Sequence, residues 1–256
     1  MSALLECRRL TRRFGGLVAL ESLDLSVEQG SVLGLIGPNG SGKTTFFNVL
    51  TGLFPASAGE IRFDGAAVAG FSPQQIYRAG IARTFQRSRL CLPLSIFDNL
   101  LIGNHRRLDH RLVFNLFSRR ALRRQLDENI AEARALLAAF DPPLAGQLFE
   151  PAGRISMINR RRVEVCRALI SRPRLLLLDE PSAGMTHDET VRLMDDILGV
   201  QQKLGLTIIL IEHEMSVIER ITQRCAVLNY GRKIAEGAYA EVARDPQVRQ
   251  AYLGLE

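Results

Sequence analysis

The fold is indicated most clearly by the segment Ser31-Val-Leu-Gly-Leu-Ile-Gly-Pro-Asn-Gly-Ser-Gly-Lys-Thr-Thr45. Its apolar first half predicts a buried strand, and the residues that follow Thr45 predict a helix. Between them, Gly37-x-x-x-x-Gly42-Lys-Thr has the spacing of a loop that binds phosphate groups. Glycines allow the backbone N–H groups to surround a polyphosphate, and the helix start adds partial positive charge. The stretch therefore predicts binding of a nucleoside triphosphate.

Two side chains of this loop carry specific expectations. The Lys43 ammonium can reach the β- and γ-phosphates, and the Thr44 hydroxyl can ligate Mg²⁺. We expect the nucleotide to contact the whole loop, namely Gly37, Pro38, Asn39, Gly40, Ser41, Gly42, Lys43, Thr44 and Thr45.

Composition limits the class of protein. The chain has 256 residues, 46% of them hydrophobic, which suffices for one large domain or two small ones. Its four cysteines are scattered without a close pair, which suits a reducing cytosol. Early charges exclude a signal peptide, and no apolar run approaches the roughly 18 residues of a membrane span. The net charge of +6 could indicate binding to nucleic acid or anionic lipid, but the arginines that cause it are dispersed along the chain. Few aromatic residues are present to stack on bases, so we favour a solvated basic surface.

The order of elements predicts an α/β fold. Strands at 4–10 and 22–27 flank an expected loop, Thr11–Ala19, and later strands alternate with helices as in a largely parallel sheet. Within the loop, Phe14 could stack on an adenine ring or simply fill a hydrophobic gap, and spacing does not decide between these. Residues 87–172 are predicted to form a helical insertion.

The helical insertion contains two predicted helices. Ser118 is a suitable N-cap for a long helix that ends at Phe140, and a second helix should begin near Ser156. The long helix has an apolar stripe at helical spacing, formed by Leu122, Leu126, Ile130, Ala133, Leu137 and Phe140.

A second group of functional residues follows later strands. Four leucines precede Asp179 and Glu180, which places two carboxylates at a strand's carboxyl end, where open α/β sheets bind ligands. Asp179 suits the holding of Mg²⁺ opposite Thr44, and Glu180 suits a base that polarises the attacking water. His213 follows another apolar strand and could reach a γ-phosphate.

These residues resemble the motifs of the ATP-binding cassette ATPases, the motor subunits of ABC transporters, over residues 4–253. The resemblance assigns Gly37–Thr45 to the Walker A loop and Leu175–Glu180 to the Walker B motif. It further implies that Phe14 stacks on adenine, that Gln86 contacts Mg²⁺ and senses the γ-phosphate, that Ser156 belongs to the signature, and that His213 is the switch histidine. The implied fold is a phosphate-loop NTPase with a mixed core sheet, an antiparallel β part and a helical subdomain.

The resemblance narrows to the branched-chain amino-acid importer ATPases. It rests on four further segments: Phe14-Gly-Gly-Leu-Val-Ala19, Arg83-Thr-Phe-Gln86, Ile211-Glu-His-Glu-Met215 and Asp245-Pro…Ala251-Tyr-Leu-Gly254. A C-terminal family tail would cover residues 228–254. A urea or amide importer ATPase, a soluble ABC ATPase and a regulatory subunit are the alternatives. In urea importer ATPases we expect a lysine at the position of Thr84.

The resemblance also implies partners. ATP and Mg²⁺ would bind in a head-to-tail dimer at the cytoplasmic face of the cell membrane. Two permease subunits and, indirectly, a periplasmic or extracellular binding protein would complete the transporter, without nucleic acid. The family signature Ser-x-Gly-Gln is altered here to Ser156-Met-Ile-Asn159, with Ile158 in place of glycine. We therefore expect a heterodimer with a second ATPase subunit that has an intact signature.

Overall fold

The computed structural model describes residues 3–85, 89–104 and 119–253. These residues form two compact units. Within the described residues, the first unit comprises 3–83, 174–181 and 201–253. The second unit comprises 84–85, 89–104, 119–173 and 182–200. The second unit thus combines the predicted insertion with most of a helix from later in the chain.

The strands and helices alternate along much of the chain. The strands are β1 (Ala3–Phe14), β2 (Leu17–Glu28), β3 (Val32–Ile36), β4 (Ala58–Phe63), β5 (Ala66–Ala67), β6 (Ile81–Arg83), β7 (Leu175–Asp179), β8 (Thr207–Ile211), β9 (Arg224–Asn229) and β10 (Arg232–Gly237). The helices are α1 (Lys43–Leu50), α2 (Pro73–Ala79), α3 (Ile96–Gly103), α4 (Arg119–Phe140), α5 (Pro142–Gly146), α6 (Met157–Leu169), α7 (His187–Leu204), α8 (Met215–Ile221), α9 (Tyr239–Val242) and α10 (Pro246–Leu253).

The larger sheet of the first unit brings the functional strand ends together. In the described part of the chain it has the order β10-β9-β3-β8-β7-β6, and every pair except β10–β9 is parallel. All residues of β3, β7 and β8 are buried, as continuous apolar strands of parallel sheets are. Because β8 lies between β3 and β7, the carboxyl ends of these three strands meet at one edge of the sheet.

The smaller sheet is antiparallel, with the order β2-β1-β4-β5. The prediction of a loop over Thr11–Ala19 is wrong, because β1 and β2 continue to a tight turn at Gly15 and Gly16. The β1–β2 pairing shifts register at several points, and Arg9 and Ser22 both have a φ of 46°. Such bulges interrupt the alternation of apolar and polar residues, which hides the strand ends in the sequence.

One hydrophobic core unites the two sheets of the first unit. It contains apolar residues from β1, β2 and β4, from α1, and from the parallel strands. Phe46 and Phe47 on α1 are both fully buried in this core. The helix that follows the phosphate-binding loop is thereby fixed by packing, which stabilises short helices more than their intrinsic propensity does.

The second unit is helical in its described part. Helix α4 ends at Phe140 as predicted, and Ala133, Leu137 and Phe140 are buried. The apolar stripe is only partly a core face, since Leu122 and Leu126 are exposed. Ser118 lies outside the described residues. Ser156 is the N-cap of α6 and accepts a hydrogen bond from the Asn159 N–H, which confirms the predicted helix start.

No helix among the described residues is long and apolar enough to span a membrane.

Candidate nucleotide-binding site

The loop between β3 and α1 adopts a conformation that requires glycine. Gly37 has a φ of 144° and Gly42 a φ of 108°. A Cβ atom at Gly37 would lie 2.1 Å from the Leu228 carbonyl oxygen, and one at Gly42 would lie 2.7 Å from the Ala19 carbonyl oxygen. Both contacts are with backbone atoms that cannot move aside. At these two positions the loop backbone therefore lies so close to neighbouring backbone that a side chain would not fit.

Lys43 turns its ammonium group back into the loop. Its Nζ donates to the carbonyl oxygens of Gly37 at 2.7 Å and Pro38 at 3.0 Å. Burial lowers the pKa of the Lys43 ammonium, while the charges of Glu180 and Asp179 act in the opposite direction. The buried ammonium is the group here that would attract an anion, and the two carboxylates favour its charged form.

The loop borders a cavity of about 330 Å³ within the first unit. The cavity is lined by the loop from Asn39 to Thr45, by Phe14 and Leu17, and by Glu180 and Tyr230. Ser41 also lines it, and its buried hydroxyl oxygen has no hydrogen-bond partner among the described residues. Buried polar atoms are normally paired, so an orphan in this position fits a polar ligand.

Phe14 lies at one side of the cavity. Its side chain is 37% exposed, and the Arg12 guanidinium lies over its ring at 4.3 Å from the centroid. Phe54 contacts the same ring edge-on, with centroids 5.2 Å apart. Phe14 thus lines the cavity and also packs against its neighbours. The two interpretations of Phe14, stacking on an adenine ring and filling a hydrophobic gap, are therefore compatible.

Glu180 and His213 are brought together by adjacent strand ends. The Glu180 N–H donates to the Ile211 carbonyl at 2.9 Å, which fixes Glu180 beside the end of β8. His213 Nε2 lies 2.7 Å from Glu180 Oε1. Glu180 has a φ of 48°, a conformation that is rare for a residue with a side chain and that occurs often at functional sites. The local backbone therefore directs this carboxylate toward both the cavity and His213.

Asp179 is held by an arginine, Arg83, for which the sequence predicted no role in the site. Arg83 Nη2 donates to Asp179 Oδ2 at 2.6 Å, and both side chains are only 6% exposed. Arg83 belongs to the Arg-Thr-Phe-Gln segment used for the family resemblance, but its sequence distance from Asp179 gave no indication of the contact.

The donor groups fit Mg²⁺ better than a metal held entirely by protein. Among the described residues, no three His, Cys, Asp or Glu side chains cluster as a metal site. Thr44 at the start of α1 and Asp179 at the end of β7 offer oxygen ligands in the same unit. Mg²⁺ is usually bound through one or two carboxylates together with substrate phosphates and water, so a sparse oxygen donor set is what it requires.

The structure does not place the other predicted residues at this cavity. Gln86 falls outside the described residues. Ser156 lies in the second unit, where it caps α6. Ile158 is the second residue of α6 and does not have a positive φ, so only the bulk of its side chain distinguishes it from glycine there.

Two tyrosines near the loop were not singled out by the sequence. Tyr230 is 77% exposed at the β9–β10 turn and lines the cavity. Tyr252 on α10 has its pKa raised to about 12 by burial, and the backbone of Gly37 opposes this shift through a hydrogen bond. A second cavity of about 370 Å³ lies between α10 and the loop. Helix α10 therefore lies beside the phosphate-binding loop, across this second cavity.

The fold and this site define the class of protein as a phosphate-loop nucleoside triphosphatase. A family model described as ABC transporter matches residues 20–183. A second, described as branched-chain amino acid ATP-binding cassette transporter, matches residues 232–256. The chain therefore belongs to the ATP-binding cassette family of ABC transporters, and it is an ATP-binding and ATP-hydrolysing subunit.

Individual relatives are similar over their whole length. The chain is 38% identical to the high-affinity branched-chain amino acid transport ATP-binding protein BraF of Pseudomonas aeruginosa, with 98% of each chain covered. It is 36% identical to the corresponding protein LivG of Escherichia coli, again with 98% of each covered. A crystal structure of an ATP-binding cassette of an ABC transporter in its ADP conformation superposes with a TM-score of 0.86 at 29% identity, covering 99% of this chain and 100% of that one. These findings confirm the predicted fold class and family.

Proposed function

We propose that the chain drives the import of branched-chain amino acids by binding and hydrolysing Mg-ATP at the cytoplasmic face of the membrane. The contact between His213 and Glu180, 2.7 Å long and beside the cavity that contains Lys43, carries the catalytic part of this proposal. The relatives named above support the choice of substrate, as does the family match at residues 232–256.

Each site residue has a distinct task in this proposal. The loop from Gly37 to Thr45 binds the phosphates through its N–H groups, and Lys43 neutralises the β- and γ-phosphates. Phe14 stacks on the base. Glu180 accepts a proton from the attacking water as a general base, and His213 holds the Glu180 carboxylate in place.

Thr44 and Asp179 would hold Mg²⁺, and the sequence resemblance adds Gln86 to this set. When bound, the ion neutralises the phosphate charge that increases during phosphoryl transfer. The protein itself places these oxygen ligands, because Asp179 is the last residue of β7 and Thr44 lies in the first turn of α1.

An uptake experiment tests the proposed substrate. Cells that lack this chain are expected to lose uptake of radiolabelled leucine, isoleucine and valine and to retain uptake of urea. Wild-type chain should restore leucine uptake, whereas the Lys43→Ala variant, expressed to the same level, should not. Restored uptake of urea in place of leucine would instead support the amide-importer alternative.

We further propose that the chain works as a heterodimer, with two permeases and indirectly a substrate-binding protein. At the start of α6, Ile158 places a branched side chain where the family has glycine, and Met157 beside it is 44% exposed. A partner signature with glycine would leave room for the γ-phosphate held by this chain's loop, whereas Ile158 would restrict it. The catalytically competent site would thus pair Lys43 and Glu180 with the partner's signature.

The heterodimer predicts asymmetric effects of mutation. In the assembled transporter, Ile158→Gly should change steady-state ATP hydrolysis only modestly, because the site built with this signature contributes little. In the purified chain alone, both sites of a homodimer contain Ile158, so the same substitution should increase hydrolysis by restoring glycine in each. Equal hydrolysis by the wild-type chain alone and by the full complex would contradict the proposal.

A further inference from the structure

Arg83 connects two elements of the nucleotide-binding site. Its Nη2 donates to Asp179 Oδ2 at 2.6 Å, and its Nη1 donates to Asn48 Oδ1 at 2.7 Å. Asp179 is the last residue of β7, and Asn48 lies on α1. The two nitrogens of a single guanidinium thus bind a strand end on one side and a helix on the other.

The contact with α1 involves the face of that helix that carries Thr44. Asn48 follows Thr44 by four residues, which places both on one side of α1, and Thr51, the C-cap residue of the helix, follows Thr44 by seven. Arg83 Nη1 also lies 3.5 Å from Thr51 Oγ1. Arg83 is therefore bound along the same helical stripe as the hydroxyl that we propose as a Mg²⁺ ligand.

The environment of Arg83 makes the connection rigid. The Arg83 and Asp179 side chains are each 6% exposed, and the guanidinium lies 5.4 Å from the centroid of the buried Phe47 ring. β6, which ends at Arg83, is paired with β7 along its length. A planar guanidinium with several fixed donors can hold two acceptors in a defined relation, which a lysine ammonium on a flexible stem does less well.

We propose that Arg83 is a positioning residue that sets the distance between Thr44 and Asp179 and so prepares the chain for Mg²⁺ before the ion binds. The inference rests on the proposed role of these two residues in Mg-ATP binding. Arg83 itself touches neither phosphate nor metal in this role. Residues that orient metal ligands typically alter metal affinity by roughly 10- to 100-fold when they are replaced.

The test is a metal titration of the full chain with ATP present. Binding of Mn²⁺, followed by its electron paramagnetic resonance signal, and binding of a fluorescent ATP analogue are measured over a range of Mn²⁺ or Mg²⁺ concentrations and in EDTA. Arg83→Met should raise the half-saturating metal concentration by about tenfold or more and leave nucleotide binding in EDTA nearly unchanged. Arg83→Lys should give an intermediate value, because it keeps the charge but not both contacts.

A matched control comes from the second unit. Arg161 forms an ion pair with Glu164 at 2.9 Å, and both side chains are also 6% exposed. Arg161→Met therefore removes an equally buried guanidinium, and thermal unfolding of both variants reports any general loss of stability. The Arg161 variant should bind metal and nucleotide as the wild type does. Equal shifts in the two variants would assign the Arg83 effect to stability alone and overturn the proposal.

A milder variant protects the test against misfolding. Asn48→Ala removes the acceptor on α1 and leaves the ion pair with Asp179 intact, so it should raise the half-saturating metal concentration in the same direction but less. Wild-type metal binding by Asn48→Ala, or tighter metal binding by Arg83→Met, would overturn the positioning role. A wild-type chain whose ATP binding ignores Mg²⁺ would instead refute the proposed function itself.

Discussion

Glu180→Gln is expected to reduce ATP hydrolysis by the assembled transporter by roughly 10²- to 10⁴-fold, the usual contribution of a general base. Glutamine keeps the shape of the side chain and can still hydrogen-bond to His213, which lies 2.7 Å from Glu180 Oε1 in the wild type. It cannot accept a proton from water. ATP binding should therefore persist, and the variant should accumulate as a closed, ATP-bound dimer.

Two measurements check this outcome. Phosphate release gives the rate of hydrolysis, and size-exclusion chromatography in Mg-ATP reports the dimer. Glu128→Gln is the matched control, because Glu128 is an exposed carboxylate on α4 that forms a surface ion pair with Arg124. If the Glu180→Gln variant hydrolyses ATP at the wild-type rate, Glu180 is not the general base.

Lys43→Ala is expected to weaken ATP binding by about 2–4 kcal/mol, which corresponds to roughly 30- to 700-fold in Kd. The Lys43 ammonium is buried inside the loop and is held by the carbonyls of Gly37 and Pro38. Its removal leaves the phosphate charge without a cation in a poorly solvated place. Loss of the ammonium should affect triphosphate binding more than adenosine binding.

Titration with a fluorescent ATP analogue measures this change directly. Lys203→Ala is the control, since Lys203 lies exposed near the end of α7. A Kd equal to that of the wild type would show that the loop is not the phosphate site. Thermal unfolding of both variants without nucleotide separates a loss of binding from a loss of folding.

The local parts of the site were predictable from sequence, and the long-range contacts were not. The loop from Gly37 to Thr44 combines strand, glycines and helix start in adjacent residues, so its pattern is complete in the sequence. Asp179, Glu180 and His213 were found because apolar strands precede them. The Arg83–Asp179 pair joins residues far apart in the chain, and no periodicity reveals such a contact.

The β1–β2 hairpin shows a second limit. Its strands were predicted too short because bulges near Arg9 and Ser22 break the period of two on which strand prediction depends. The extent of the helical unit shows a third limit of prediction from sequence. Residues 182–200 follow a core strand in sequence but cluster with the helices, and only spatial contacts, rather than composition, distinguish them.

The position of β3 has a consequence for how the chain folds during synthesis. β3 lies between β8 and β9, so the strand that leads into the phosphate-binding loop acquires its neighbours only from the last quarter of the sequence. Gly231, later still, donates to the Ser41 carbonyl. Pairings between such distant segments form slowly, because the chain loses the entropy of closing a long loop before the new contacts stabilise it. The chain must therefore have been synthesised through β9 before β3 has both of its neighbouring strands, and the apolar β3 depends on protection from aggregation until then.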